Sequence, residues 1–485
     1  MHLQDTDSFL IVGTEVEGLF TALFLKDNFP NKLTTILDIV PFQNRTLCVN
    51  SGFEIYNLAD RLGVDFFDFI KKTNATFCGG DYYQGFSKND FFNHTTSRPY
   101  LLKHNDHYVI YSYILGYRSN PSPYMNPDFF LESKLPIKMD DVGISLNFEY
   151  KALRKYLLDL CKEKGINIIQ DKLSKVVYNK KKDVSEIIGE QAYYSADIYI
   201  DNSGPRRALS KNFEWESWQS YSPLAGSVQF ETEKTKEYNL FNLVKCCDES
   251  ILIRTNLQDK TYNTLLVSKK AASMVPEHIE KIFKKKILLN DAVKSFYNGF
   301  PCGCYTQMWK NNVVLIGQSS NYCEPFGSIR IMQGILQTNS FINALPSMDR
   351  ESCNEDHTYL MNNILSYIGI HYEAKDKWFS NLETPDFLKK HLPLWKKRCP
   401  RDRDFSPFRL NLFGAESFIK MVAGLGLFEK SKYHKEIRHY SFSLRASVSR
   451  QLKSIKNWEH NCFKISHKEY IRIIKEEFKK KGVIY

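Results

Sequence analysis

An α/β fold is what this sequence predicts, and three observations predict it. The first is SFLIVGTEVEGLFTALFLKDNF, residues 8–29, where an apolar run from Phe9 to Val12 stops at Gly13. After Gly18, the residues Leu19, Phe20, Leu23 and Phe24 fall at helical spacing. The second is the run Leu33 to Leu37, which reads as another strand and ends in Asp38. The third is a pair of later strands that each stop at a small-residue turn. These are Ile198 to Asp201 before Ser203-Gly204, and Val313 to Ile316 before Gly317. Strand, crossover helix and strand make the βαβ unit of a Rossmann-like parallel sheet.

The turn after the first strand decides what that unit holds. In a dinucleotide site it carries G-x-G-x-x-G, and an acidic residue about 20 positions on bonds a ribose hydroxyl. Gly13 and Gly18 supply the outer glycines, and Asp38 stands 20 residues past Gly18. The middle glycine is Glu15. A glycine there lets a pyrophosphate approach the helix N-terminus, which favours anions. Glu15 puts a carboxylate in the same place, so it reads as a built-in anion filling the site. The alternative is a plain packing unit with a surface glutamate.

Residues 148–165 (FEYKALRKYLLDLCKEKG) place Leu153, Leu157 and Leu160 on one helical face, and Gly165 ends the helix. INIIQDKLSKVVYN then reads as strand. In WKNNVVLIGQSSNYCEPFGSIRIMQGILQ, residues 309–337, a turn built on Glu324-Pro325-Phe326-Gly327-Ser328 separates the strand from a helix carrying Ile331, Ile335 and Leu336.

The 485 residues are 43% hydrophobic and 14% aromatic, enough for a large packed core, and carry net charge +11. The basic clusters (180–182, 284–286, 396–398 and 479–481) read as solvated faces. Eleven cysteines show no C-x-x-C pair, so no metal site is predicted and free thiols in a reducing cytoplasm are expected. The acidic, polar start MHLQDTD is unlike a secretory leader, and no apolar run reaches the length of a membrane span.

Five stretches in order resemble the flavin-dependent halogenases of the tryptophan-halogenase type. LGVDFFDFIKKTNATFC (62–78) is similar to the segment leading to that family's catalytic lysine. ADIYIDNSGPRRAL is similar to its A-D-L-x-I-D-x-S-G-x-R-x-L. WKNNVVLIGQSSNYCEPFGSIR is similar to its W-x-x-N-x-V-x-I-G-x-S-x-x-F-x-E-P-L-E-S-T-G. LSYIGIHY (365–372) and SFIKMVAGLGL (417–427) are similar to two later helices. The resemblance implies a p-hydroxybenzoate-hydroxylase-like FAD fold with an added helical substrate part. It divides the chain into a body, 1–340, with a substrate-side sheet inserted at about 80–145 and 205–300, and a helical part, 341–485. It also implies FAD, reduced by a separate flavin reductase, and a small electron-rich aromatic substrate. Gly13, Gly18, Asp38, Ser203, Gly204, Gly317 and Pro325 become the cofactor contacts, and Ser328 a catalytic-site residue.

At the chemical positions this sequence departs from the family. The lysine that delivers hypohalous acid falls on Cys78, and the assisting glutamate falls on Gly327. A thiol is consumed by such an oxidant, and glycine has no side chain for acid–base work. The halide-binding pair falls on Ile329 and Arg330, where an arginine binds an anion directly or closes the pocket. The short flavin loop reads Leu47-Cys48-Val49-Asn50, and CCDESILIRTNL (246–257) stands where the family has W-x-W-x-I-P. The nearest lysines, Lys71 and Lys72, are expected to face solvent.

Three readings remain open on sequence: a divergent halogenase, a catalytically degenerate binding or structural protein on the same scaffold, and a flavin monooxygenase. The tail from Phe428 to Tyr485 mixes bases and aromatics (Lys453, Lys456, Trp458, His460, Lys464, Tyr470). That mixture suits nucleic acid, but a helical packing segment with solvated lysines is the expected reading.

Overall fold

The computed structural model describes residues 6–39, 46–52, 55–86, 91–95, 107–117, 134–136, 144–233, 240–284, 286–287, 293–296, 302–373, 378–379, 381–461, 464–466, 469 and 472. The chain opens with β1 (Ser8–Val12), α1 (Val16–Asn28) and β2 (Leu33–Ile39). β1 and β2 run parallel, Ile11 opposite Ile36, so the βαβ unit stands where the spacing predicted it. Every residue of α1 from Val16 to Leu25 is buried. A helix apolar on all sides belongs inside the body rather than on its surface.

β3 (Cys48–Asn50) follows, then α2 (Phe66–Thr73), β4 (Thr76–Cys78), β5 (Gly80–Gln84) and β6 (Phe91–Thr95). Asp65 caps α2 by accepting from the Asp68 N–H at 2.8 Å. Lys71 and Lys72 are exposed on it, and Lys72 pairs with Asp68. Next come β7 (Ser145–Glu149), α3 (Tyr150–Glu163), β8 (Asn167–Asp171) and β9 (Ile198–Asp201). Leu153, Leu157 and Leu160 form the buried stripe of α3, and Gly165 follows its end with φ +72°. The middle of the chain supplies β10 (Leu224–Glu233), β11 (Phe241–Cys247), β12 (Ser250–Asn256), β13 (Lys260–Ser268) and β14 (Val293–Phe296). β15 (Trp309–Lys310), β16 (Val313–Leu315), α4 (Ile329–Ala344), α5 (Arg350–His371) and α6 (Ala415–Gly424) complete the framework.

Two sheets organise these elements. The first has the order β15-β16-β9-β1-β2-β8, parallel except for β15. The second has the order β14-β10-β13-β12-β11-β5-β6. A small antiparallel sheet, β3-β7-β4, sets Asn50 and Thr76 on either side of Asn147 and Cys78 opposite Ser145. Cys48–Asn50 and Thr76–Cys78, the segments that the resemblance assigns to the flavin loop and the lysine position, thus meet across one strand, β7.

Within the tail, Val448 and Leu452 of the helix Phe442–Asn461 pack with the helix His107–Tyr117, while Lys453 and His460 are exposed. This is the helical packing reading. Tyr470 and the side chains of Lys456, Trp458 and Lys464 lie outside the described residues.

Gly13 and Gly18 both lie against Asn202, just past β9. A Cβ on Gly13 would come 2.3 Å from the Asn202 carbonyl oxygen, and one on Gly18 would come 2.1 Å from its Oδ1. The Gly18 N–H donates to that Oδ1 at 2.8 Å. Gly18→Ala therefore expels the amide and strands the N–H. We expect a loss of about 1–3 kcal/mol in urea unfolding, despite the better helix propensity of alanine.

Candidate functional site

The β1–α1 turn, the start of α4 and the start of α3 converge on one buried cluster. Arg330, in the first turn of α4, donates from Nη2 to Glu15 Oε2 at 2.5 Å and from Nε to Glu17 Oε1 at 2.5 Å. It also donates from Nη1 to Thr46 Oγ1 at 2.6 Å and from Nη2 to the Tyr150 hydroxyl at 3.0 Å. The Tyr150 hydroxyl in turn donates to Glu15. Burial works against the Arg330 charge, and Glu17, Tyr150 and Glu15 more than offset it, so its pKa is raised. Burial also raises the Glu15 carboxyl above the usual carboxylate range, against the pull of Arg330.

Glu15 stands at the N-cap of α1, but its side chain accepts no cap hydrogen bond from the helix. The expectation of an anion neutralised by the helix terminus is corrected here: an arginine neutralises it. The N–H groups that an anion would use are engaged as well. Val16 N–H donates to the Tyr150 hydroxyl at 3.1 Å, and Gly18 N–H donates to Asn202. Glu15 lies against Gly204 and Glu17 against Gly317, since a Cβ on either glycine would come 3.0 Å from the glutamate. Carboxylates occupy the space at this turn, and two of its N–H groups are spent on Tyr150 and Asn202.

The other predicted cofactor contacts are also turned inward. Asp38 Oδ1 accepts from Thr14 Oγ1 at 2.5 Å and Arg154 Nη2 at 2.9 Å, and its Oδ2 accepts from Gln170 at 3.2 Å. Ser203 Oγ donates to buried Asp201 at 2.7 Å. Gly317 N–H donates to Gln337 Oε1 at 2.9 Å. Pro325 is exposed and Ile329 is buried, and both border a cavity beside Arg330. The Ser328 side chain lies outside the described residues.

Cys78 is fully buried in β4, with its thiol toward the Gly80 carbonyl oxygen at 3.4 Å. Burial, then the nearby Asp81, push that thiol up to about 11. Gly327 has φ +63°, and a Cβ there would meet Tyr367 at 2.6 Å and Phe413 at 3.0 Å. Those two rings stack at 3.5 Å, and Phe326 stacks on His371 at 4.4 Å. Aromatic packing thus fills the space into which a side chain at 327 would project, and the backbone itself selects glycine.

The cavity has a volume of about 160 Å³, below the roughly 300–1,000 Å³ of sites that enclose drug-sized ligands. Two carboxyls on its wall, Asp81 and Glu324, were not singled out from the sequence. Asp81 accepts from Asn242 Nδ2 at 3.2 Å and from the Gly327 N–H, and burial pushes it to about 6. Asn242, Asn147 and Asn50 continue the chain of amides across β7, at 3.0 and 2.7 Å. Glu324 accepts from Ser222, from Cys302 Sγ at 3.2 Å and from Tyr372 at 3.2 Å, and burial raises it too. Glu17 and Tyr150 were also missed. The available signal for Glu17 was a charge inside an otherwise apolar buried helix, which requires a cation partner.

A mostly parallel sheet with a dinucleotide-type crevice, joined to a mostly antiparallel sheet and C-terminal helices, defines a flavoprotein-type architecture. A match to the tryptophan halogenase family extends over residues 8–440, and the chain belongs to that family. It is 21% identical over 300 residues to the tryptophan 6-halogenase SttH of Streptomyces toxytricini, covering 58% of this chain and 57% of that one. It is 22% identical over 282 residues to the 7-chloro-L-tryptophan 6-halogenase KtzR of Kutzneria, covering 54% of each. The chain therefore spans a little over half the length of these relatives. Among solved structures, a tryptophan halogenase from Shewanella frigidimarina superposes with TM-score 0.85 at 16% identity, over 98% of this chain and 99% of that one. BrvH, a flavin-dependent halogenase from Brevundimonas, gives 0.81 at 16%, over 96% and 99%. These likenesses carry the fold.

Removing Arg330 leaves two buried carboxylates without their cation. Arg330→Met is expected to lower stability by about 3–5 kcal/mol in denaturant unfolding, whereas Lys155→Ala, at an exposed pair with Asp159, leaves the midpoint in place. Asp81 binds its proton more tightly folded, at about 6, than its ordinary 3.8. Its contribution is therefore full at low pH and is lost as pH rises from about 4 to about 6, by about 3 kcal/mol in all. A ¹³C carboxyl titration should place the Asp81 midpoint near 6, and Asp81→Asn should remove that part of the slope.

Proposed function

We propose that this halogenase-family protein has exchanged its flavin dinucleotide for an internal ion network, and acts as a small-molecule-binding protein rather than a lysine-dependent halogenase. The observation that carries this reading is Arg330 bridging Glu15 and Glu17 at the start of α1. A diphosphate brings two negative charges to that turn and would have to displace two buried carboxylates from their cation.

Two further observations support it. The residue at the lysine position is a buried, protonated thiol, which neither holds nor polarises hypohalous acid. The space around Gly327 is closed by Tyr367 and Phe413. On this reading neither a flavin reductase nor a halogen acceptor is a partner. The same two closures weigh against the monooxygenase reading, which needs the flavin as much as halogenation does. Among the described residues no helix is long and apolar enough to cross a membrane. The cytoplasm is the compartment we assign, on ten described cysteines that are all free.

Titration with oxidised and with reduced FAD, read by flavin absorbance and fluorescence, is expected to show no binding at high micromolar flavin. The paired change Glu15→Gly with Arg330→Gly is expected to raise flavin affinity about tenfold or more, by freeing the turn. Tight binding of FAD by the unsubstituted chain would return it to the oxidoreductases. Dilute hypochlorite, followed by peptide mass spectrometry, should modify the partly exposed Cys246, Cys247 and Cys323 before Cys78. Early loss of Cys78 would show that an open route reaches it.

A further inference from the structure

The cavity itself indicates the chemistry of its ligand, given the reading above that no flavin fills it. Its 160 Å³ is close to the cavity of about 150 Å³ that admits benzene in a protein interior. One ring is the scale it sets. Val49, Val244, Leu266 and Ile329 supply apolar wall. Glu15, Asp81 and Glu324 supply carboxyls, against a single guanidinium, Arg330, that Glu15 shares with Glu17.

That count runs against anions and leaves acceptor capacity over. Asp81 has two donors and Glu324 has four, its own N–H included, while a carboxylate offers about four acceptor positions, so the spare capacity lies on Asp81. All the donors that reach them are neutral. A buried carboxylate served only by neutral donors gains most from a cation, which returns part of what burial cost. The two carboxyls stand on different elements, one on β5 and one on the turn before α4, and both line the cavity.

We propose that this cavity binds a monocyclic organic ammonium, its ring against Val49, Val244, Leu266 and Ile329 and its charge on the carboxyls of Asp81 and Glu324. Calorimetric titration of the full chain with benzylamine, benzyl alcohol and benzoate tests it, because the probes share one ring and differ in charge. Benzylamine should bind at least about tenfold tighter than benzyl alcohol, and benzoate should not bind. Asp81→Asn and Glu324→Gln should each weaken benzylamine about tenfold and leave benzyl alcohol unchanged. Equal affinities, a preference for the alcohol or the acid, or no binding of any probe would overturn the proposal. The ranking on the unsubstituted chain decides this even where a variant fails to fold. An FAD titration run beside it separates the two ideas: flavin binding sinks the reading above, whereas silence from both flavin and amine sinks only the ammonium site.

Discussion

The guanidinium of Arg330, held between Glu15 and Glu17, is the contact on which the nucleotide crevice depends. α1 is buried along its first ten residues and carries Glu17 there, with Glu15 buried just before it. Charges in that setting persist only when paired and hydrogen-bonded. Arg330 comes from α4, Tyr150 from the first residue of α3 and Thr46 from the segment before β3, so one side chain ties four parts of the chain together. Each carboxylate taken alone would be a defect, and together with the arginine they form a closed network.

The replacements at the chemical positions follow the same logic of mutual support. Gly327 cannot be traded for a side chain while Tyr367 and Phe413 stack above it with φ +63° below. Cys78 suits a β4 strand pressed between Ser145 and Gly80, where an ammonium would be buried beside one carboxyl, Asp81. Gly204 and Gly317, which a family resemblance would assign to a cofactor, instead leave room for Glu15 and Glu17. Changes that look like separate losses in the sequence are one repacked interior.

On the proposed reading, family membership and chemistry separate in this molecule. The scaffold is kept by periodic apolar positions and turn residues, which tolerate very low identity as long as volume and pattern survive. The chemistry of a flavin site is kept by a few residues in exact places, and the proposed reading has those replaced. A TM-score of 0.85 at 16% identity expresses that asymmetry.

The sequence by itself determined the βαβ unit, the helix within 148–165 with its glycine stop, the strands that stop before Ser203-Gly204 and before Gly317, and the solvent-facing Lys71 and Lys72. All of these rest on near-neighbour periodicity, capping and turn chemistry, which a single chain displays directly. It also singled out Cys78, Gly327 and Arg330 as departures from the pattern that the resemblance implies. Only the tertiary structure decided what stands in their place. Arg330 meets Glu15 across 315 residues, and Asp81 and Glu324 reach one cavity from different elements. No local period encodes a partner that far away. Whether a glutamate at the end of a strand is a helix cap, a surface charge or one arm of a buried ion network is settled by which cation folding brings beside it.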